Sequence, residues 1–90
     1  MIIVLLTYTG DVAPHRAAHV DWLKGALAQG RLVTAGRQPG SGGVLIANGD
    51  AGTVESWAAT DPYQVAGVVT AQYVEFTPSF AAPGLESLLP

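Results

Sequence analysis

The segment between Pro14 and Gly36 constrains the fold most, because its pattern is that of a helix passing directly into a strand. Pro14 suits the first turn of a helix, where amide hydrogens have no intrahelical partner. Gly30 suits the position just past the helix end, which favours a left-handed residue. Residues 31–37 then predict a strand with almost no intervening loop.

The helical periodicity of this segment predicts which side of the helix meets the core. At 100° per residue, four side chains fall within about 60° of one another and form the predicted core stripe: Arg16, Val20, Leu23 and Leu27. His19 lies at the edge of that stripe, and Trp22 and Ala26 continue its side of the helix.

The flanking segments complete a recognisable order of elements. Residues 1–8 are continuously apolar and predict a strand covered on both faces, after which Asp11 is placed to cap the helix. A third strand is predicted at 44–48, a second helix at about 51–60 with Asp50 as its cap, and a helical turn opening at Asp61-Pro62. A fourth strand follows at 68–76. This β-α-β-β-α-β order predicts an α+β, ferredoxin-like fold with a four-stranded antiparallel sheet and both helices on one face.

The composition predicts a partner for the open face of such a sheet. Hydrophobic residues make up 49% of the chain and charged residues 12%, with a mean hydropathy of +0.32. These values are apolar for a domain of 90 residues, much of whose surface must face water. We therefore expect a homodimer in which two copies pack sheet against sheet, a monomer being the alternative. Residues 1–78 would form the domain, and the tail 79–90 would dock on its own or the partner subunit.

The net charge and the apolar run at the start of the sequence indicate which kinds of ligand and which cellular location to expect. The formal net charge of −3 offers no electrostatic footprint for a phosphate backbone, so nucleic acid is not expected as a ligand. The run 1–6 is too short to span a bilayer and lacks the flanks of a signal peptide, so we expect no membrane association and a cytoplasmic location. The absence of cysteine excludes thiolate chemistry.

Two spaced motifs carry a family resemblance. His19 is followed by a G-x-L-x-x-A-G run from Gly30 to Gly36, and a D-P-Y-x₃-G motif extends from Asp61 to Gly67. With the intervening glycine-bearing hairpin, this pattern resembles the YciI-like (YCII-related) family over nearly the whole chain. The chain departs from the family at Arg37, where proline is frequent, and in the tail from Pro83 onward.

The resemblance implies a dimeric α+β barrel and an active-site pair which, carried over by position, is His19 and Asp61. Most of the family has no established activity, although one branch eliminates chloride from a chlorinated hydroxyhydroquinone. The resemblance thus implies a pocket and leaves the reaction open.

The chemistry of the pair can also be argued from the residue types. A carboxylate that accepts from one imidazole nitrogen leaves the other nitrogen as a base and stabilises the imidazolium that forms. Such a pair could take a proton from a phenol, an enol or a carbon beside a carbonyl, and it requires no cofactor or metal. We therefore expect catalysis by His19 and Asp61 and substrate binding by four neighbours: Arg16, Trp22, Gly36 and Tyr63.

Other interpretations remain open at this point. One hypothesis is a lyase or isomerase acting on a small aromatic or enolisable acid, and the other is a non-catalytic dimeric module that binds a small metabolite. His19 could instead be a packing residue, and Gly36 could serve only a turn. A third alternative is a zinc site formed by His15, His19 and Asp61.

Overall fold

The computed structural model describes residues 1–90 and contains one sheet with helices packed against one of its faces. The elements in chain order are β1 (Ile2–Tyr8), α1 (Arg16–Ala28), β2 (Leu32–Gln38), β3 (Gly42–Ala47), α2 (Ala51–Ala58), α3 (Pro62–Val65) and β4 (Val69–Glu75). Single 3₁₀ turns occur at Ala13–His15 and Glu86–Leu88. No helix is both long and apolar enough to cross a bilayer.

The sheet has the order β2-β3-β1-β4, and all neighbouring strands are antiparallel. β1 lies in the interior and pairs on both sides, so that Val4 is opposite Leu45 on one neighbour and Tyr73 on the other. This topology confirms the ferredoxin-like α+β prediction.

The two faces of β1 have different surroundings. Ile2, Val4 and Leu6 are buried beneath the helices, whereas Ile3 and Leu5 are only half-buried. The expectation that β1 is covered on both faces is therefore not met within one chain, because the helices all pack on the same side of the sheet.

The orientation predicted for α1 is wrong for three of its four stripe residues, and only Leu23 packs against the core. Its buried residues are His19 and Ala26, while Val20 and Leu27 of the predicted stripe are 37% and 46% exposed, and Arg16 is exposed. The small Ala26 side chain permits close approach to the sheet, and the buried side carries the polar contact of His19 described below. A prediction from helical periodicity places the large aliphatic side chains towards the core. It takes no account of the small size of Ala26 or of the polar contact of His19.

The ends of the helices follow local chemistry. Gly30 adopts a φ of 70°, and Arg31 N–H donates to the Ala26 carbonyl at 3.0 Å in the hydrogen-bond pattern typical of a glycine-terminated helix. Asp50 caps α2 as predicted. Asp11, in contrast, does not cap α1: it accepts from Ala13 N–H at 3.0 Å in the turn that precedes the helix.

The C-terminal tail approaches the open side of the sheet. Six tail residues between Pro78 and Leu88 and sheet residues including Thr34 and Ile46 line a cavity of about 520 Å³. Phe80 is 95% exposed, whereas Leu88 and Leu89 are half-buried. Docking of this tail on a partner subunit stays a prediction.

Candidate functional site

A cavity of about 300 Å³ opens at the end of the sheet where β1 and β2 finish and α1 begins. These ends meet because α1 runs back antiparallel to β1 and delivers the chain to β2, which is parallel to β1 with β3 between them. Five of its lining residues are polar or charged, namely Tyr8, Arg16, His19, Arg37 and Tyr63. The others are aliphatic residues, alanine or glycine, so the cavity combines an apolar wall with a few polar groups, as small-molecule sites do.

His19 and Asp61 form a buried hydrogen-bonded pair. The His19 Nδ1 to Asp61 Oδ1 distance is 2.6 Å, and the two residues are only 8% and 1% exposed. A carboxylate in this position accepts from a protonated Nδ1, which leaves Nε2 of a neutral imidazole as an acceptor. Nε2 has no hydrogen-bond partner in the chain and keeps accessible surface, and His19 lines the cavity.

The position of Asp61 is fixed by the local chain. Pro62 occupies the first turn of α3, and Asp61 is the N-cap residue, whose Oδ1 also accepts from Tyr63 N–H at 3.0 Å. Its second oxygen, Oδ2, is buried and has no partner. Oδ1 thus serves the helix cap and His19 together, and His19 is the only side chain that pairs with this carboxylate.

Tyr63 fixes the plane of the imidazole. Its ring stacks on that of His19 with centroids 3.9 Å apart and an interplanar angle of 6°, and Tyr8 meets Tyr63 edge-on at 6.3 Å. Sequence reasoning missed Tyr8. Its alternation with Leu6 and Val4 places it on the helix-covered face and was the available signal.

Trp22, which we expected to contact a ligand, does not line this cavity. It stacks on Trp57 at 4.3 Å, and its Nε1 donates to Thr60 Oγ1 at 3.0 Å. Trp22 also flanks the His19 ring at a centroid distance of 5.9 Å. The structure therefore places it behind the histidine as a support.

Gly36, Gly42 and Gly67 differ in what the structure requires of them, and of these three only Gly36 lines the cavity. Gly36 lines the cavity from within β2, so a turn is not its role, and a Cβ added there would meet nothing within 4 Å. Gly42 belongs to the glycine-bearing hairpin that contributes to the family resemblance, and it is tightly constrained, because a Cβ there would lie 1.7 Å from the Leu6 carbonyl oxygen. Gly67 adopts a φ of 71° and ends α3.

The three residues of the zinc alternative do not form a ligand set. No group of three or more histidine, aspartate or glutamate side chains is arranged to hold a metal ion. His15 belongs to the 3₁₀ turn before α1, and Nδ1 of His19 is already bonded to Asp61.

Comparisons with known proteins agree with the topology. No curated protein sequence matches. A solved structure of 5-chloro-2-hydroxyhydroquinone dehydrochlorinase from Burkholderia phenoliruptrix, in complex with 2,5-dihydroxybenzoquinone, is similar with a TM-score of 0.70. The alignment has 18% sequence identity and covers 86% of this chain and 94% of that one, a likeness that establishes a shared fold. The model of the YCII-related domain matches residues 1–77, so the chain belongs to the YCII-related domain family.

Proposed function

We propose that this protein is a cofactor-independent lyase or isomerase in which His19 transfers a proton to or from a small aromatic or enolisable acid. The observation that carries the proposal is the 2.6 Å contact between His19 Nδ1 and Asp61 Oδ1, which leaves Nε2 free at the cavity. Asp61 holds the ring orientation and stabilises the imidazolium after proton uptake.

The surroundings of Asp61 support this assignment. A buried carboxylate needs compensation, and its Oδ2 has none within the chain. Protonation of His19 would place a positive charge directly against this carboxylate. Asp61 would therefore stabilise the imidazolium that forms when His19 acts as a general base.

The shape of the cavity supports a planar substrate of modest size. A volume of about 300 Å³ lies at the lower end of ligand pockets. The stack with Tyr63 fixes the imidazole plane, which defines the direction of Nε2 towards a substrate hydroxyl or acidic C–H. The structurally similar dehydrochlorinase was solved with a planar quinone bound, which supports a planar ring compound as the class of substrate for this protein.

Chloride elimination is one reaction that this chemistry permits. For a chlorinated hydroxyhydroquinone, two hydroxyl protons leave, the chlorine-bearing carbon gains one proton, and the C–Cl bond breaks with its electron pair. The products are a hydroxyquinone and HCl, so no external oxidant or reductant is needed. Proton transfer without chloride loss would be an isomerisation.

The test is to incubate the protein with 5-chloro-2-hydroxyhydroquinone and measure chloride release, and with unchlorinated enolisable acids in D₂O to follow exchange by NMR. We expect His19→Gln to lower the rate by about 10² to 10⁴-fold and Asp61→Asn also to lower it. The matched control is His15→Gln, a histidine that does not line the cavity. If the protein binds these compounds but turns over none of them, the enzyme hypothesis is overturned and the hypothesis of a non-catalytic metabolite-binding module is supported.

We also propose that two copies cover their open sheet faces by packing against each other. The face turned away from the helices carries no charged side chain on any strand. Its side chains are those of Ile3, Leu5, Thr7, Thr34, Gln38, Val44, Ile46, Thr70, Gln72 and Val74, and Gly36 and Gly42 occupy the two remaining positions in the register. A central apolar strip bordered by uncharged polar groups suits a self-complementary contact with a second copy. The neighbouring tail would then lie at the edge of this interface.

A further inference from the structure

The cavity contains two arginines that bind nothing within the chain. Only four residues of the protein are lysine or arginine, and two of them, Arg16 and Arg37, line this cavity. No aspartate or glutamate is among the lining residues. The cavity is therefore locally cationic in a protein whose formal net charge is −3.

Neither guanidinium group has an ion-pair or hydrogen-bond partner within the chain. The only ion pair in the structure joins His19 and Asp61, and neither arginine takes part in a side-chain hydrogen bond. A guanidinium presents five donors in a planar fork that fits a carboxylate. Seven acidic residues are present in the chain, yet none pairs with these arginines.

The two arginines come from different elements that converge on the cavity. Arg16 begins α1, and Arg37 lies near the end of β2 on the helix-facing side, in register with Gly43. Because Gly43 has no side chain, the space beside Arg37 is not filled by its cross-strand neighbour. This placement puts a positive charge on two walls of the cavity.

We infer that the substrate is a planar aromatic or enolic carboxylate, held through its carboxylate by Arg16 and Arg37 while its hydroxyl or acidic C–H faces His19. The second half of this inference rests on the proposed function, whereas the carboxylate contact stands on the arginines alone. Charge-assisted, forked hydrogen bonds would select the acid over a neutral compound of the same shape. Arg37 thereby becomes a specificity-determining residue.

The test compares two compounds of nearly identical shape, 2,5-dihydroxybenzoate and 2,5-dihydroxybenzamide, by calorimetric titration. We expect the acid to bind at least about 10-fold more tightly than the amide, and Arg37→Gln or Arg16→Gln to remove most of that difference. Arg31→Gln is the matched control, because Arg31 lies in a different groove beside Trp57. Raising NaCl from about 50 mM to about 500 mM should weaken binding of the acid and leave the amide unchanged.

The outcomes separate this inference from the proposed function. Equal binding of acid and amide, unaffected by either arginine variant, overturns the inference even if His19-dependent turnover of neutral phenols is found. Sulfate that displaces the acid at equal concentration overturns the carboxylate assignment in favour of a general anion site. Arginine-dependent binding of the acid without turnover of any enolisable acid supports the carboxylate site and overturns the proposed reaction.

Discussion

Asp61 and His19 are 42 positions apart in the sequence, and their side chains meet through a 2.6 Å contact between Oδ1 and Nδ1. The same oxygen accepts the Tyr63 N–H that opens α3. Oδ1 of Asp61 therefore both caps α3 and accepts from the imidazole of His19. The geometry of this short helix thus determines the orientation of the His19 ring in the cavity.

This geometry predicts the tautomer of His19. In ¹⁵N NMR spectra of the neutral ring we expect the proton on Nδ1, because Asp61 accepts from that nitrogen, and Nε2 unprotonated. In Asp61→Asn, which keeps a cap acceptor but removes the charge, the preference for Nδ1–H should weaken. His15, with no such partner, serves as a reference in the same spectra. A wild-type ring protonated mainly on Nε2 would contradict the assignment of the base.

A second prediction concerns the close approach of β1 and β3 beside the cavity. Gly42→Ala should lower the free energy of unfolding by about 3 kcal/mol or more, because the new methyl group would overlap the Leu6 carbonyl. Gly25→Ala is the control, since it adds the same atoms in α1 where nothing lies within 4 Å. That change should raise stability by about 0.5–1 kcal/mol through helix propensity. Urea unfolding measures both, and an unaltered midpoint for Gly42→Ala would refute the packing argument.

A third prediction addresses the open sheet face. Light scattering of the wild type should give twice the chain mass of 9.3 kDa, and Leu5→Glu should give the mass of one chain, because a charge would then be buried between the sheets. Val65→Glu is the matched change outside this face, at a residue that is 76% exposed, and it should stay dimeric. A monomeric wild type at micromolar concentration would refute the sheet-to-sheet contact.

A fourth prediction concerns the pH dependence of stability. Hydrogen bonds from the Thr53 backbone and hydroxyl hold the pKa of Asp50 below its ordinary value of 3.8. Since the folded-state pKa is lowered, this stabilisation is present above the unfolded pKa and is lost as pH falls through the folded one. Asp50→Asn can still cap α2 but does not titrate.

The measurement is the urea midpoint at about pH 6 and about pH 3. The decrease in stability on acidification should be smaller in Asp50→Asn than in the wild type. Asp21→Asn is the control, because Asp21 is an exposed aspartate in α1 whose side chain makes no hydrogen bond or ion pair. Identical decreases in all three proteins would argue against a titrating cap.

A fifth prediction separates support from ligand contact. Trp22→Phe should reduce stability by about 1–2 kcal/mol, since it removes the Nε1–H bond to Thr60 and part of the stack on Trp57. It should change the affinity for 2,5-dihydroxybenzoate much less than Arg37→Gln does, because Trp22 does not line the cavity. A larger loss of affinity than of stability would place Trp22 in the binding site.

The order of the elements, the helix ends at Gly30 and Asp50, and the α+β class followed from the sequence alone. These features depend on interactions within a few residues, such as a left-handed glycine or a side chain that caps the next turn. The family resemblance carried by the motifs around His19 and Asp61 also implied that these two residues form a pair.

Only the tertiary structure determined which side of α1 is buried and which residues share the cavity. The burial of His19 and Ala26 in place of Val20 and Leu27 depends on a hydrogen bond to a distant carboxylate and on how closely a helix can approach the sheet. Neither is encoded in helical periodicity. The convergence of Arg16 and Arg37 depends on how α1 packs against the sheet, and the constraint on Gly42 depends on the pairing of β3 with β1. Both are contacts between residues distant in the sequence.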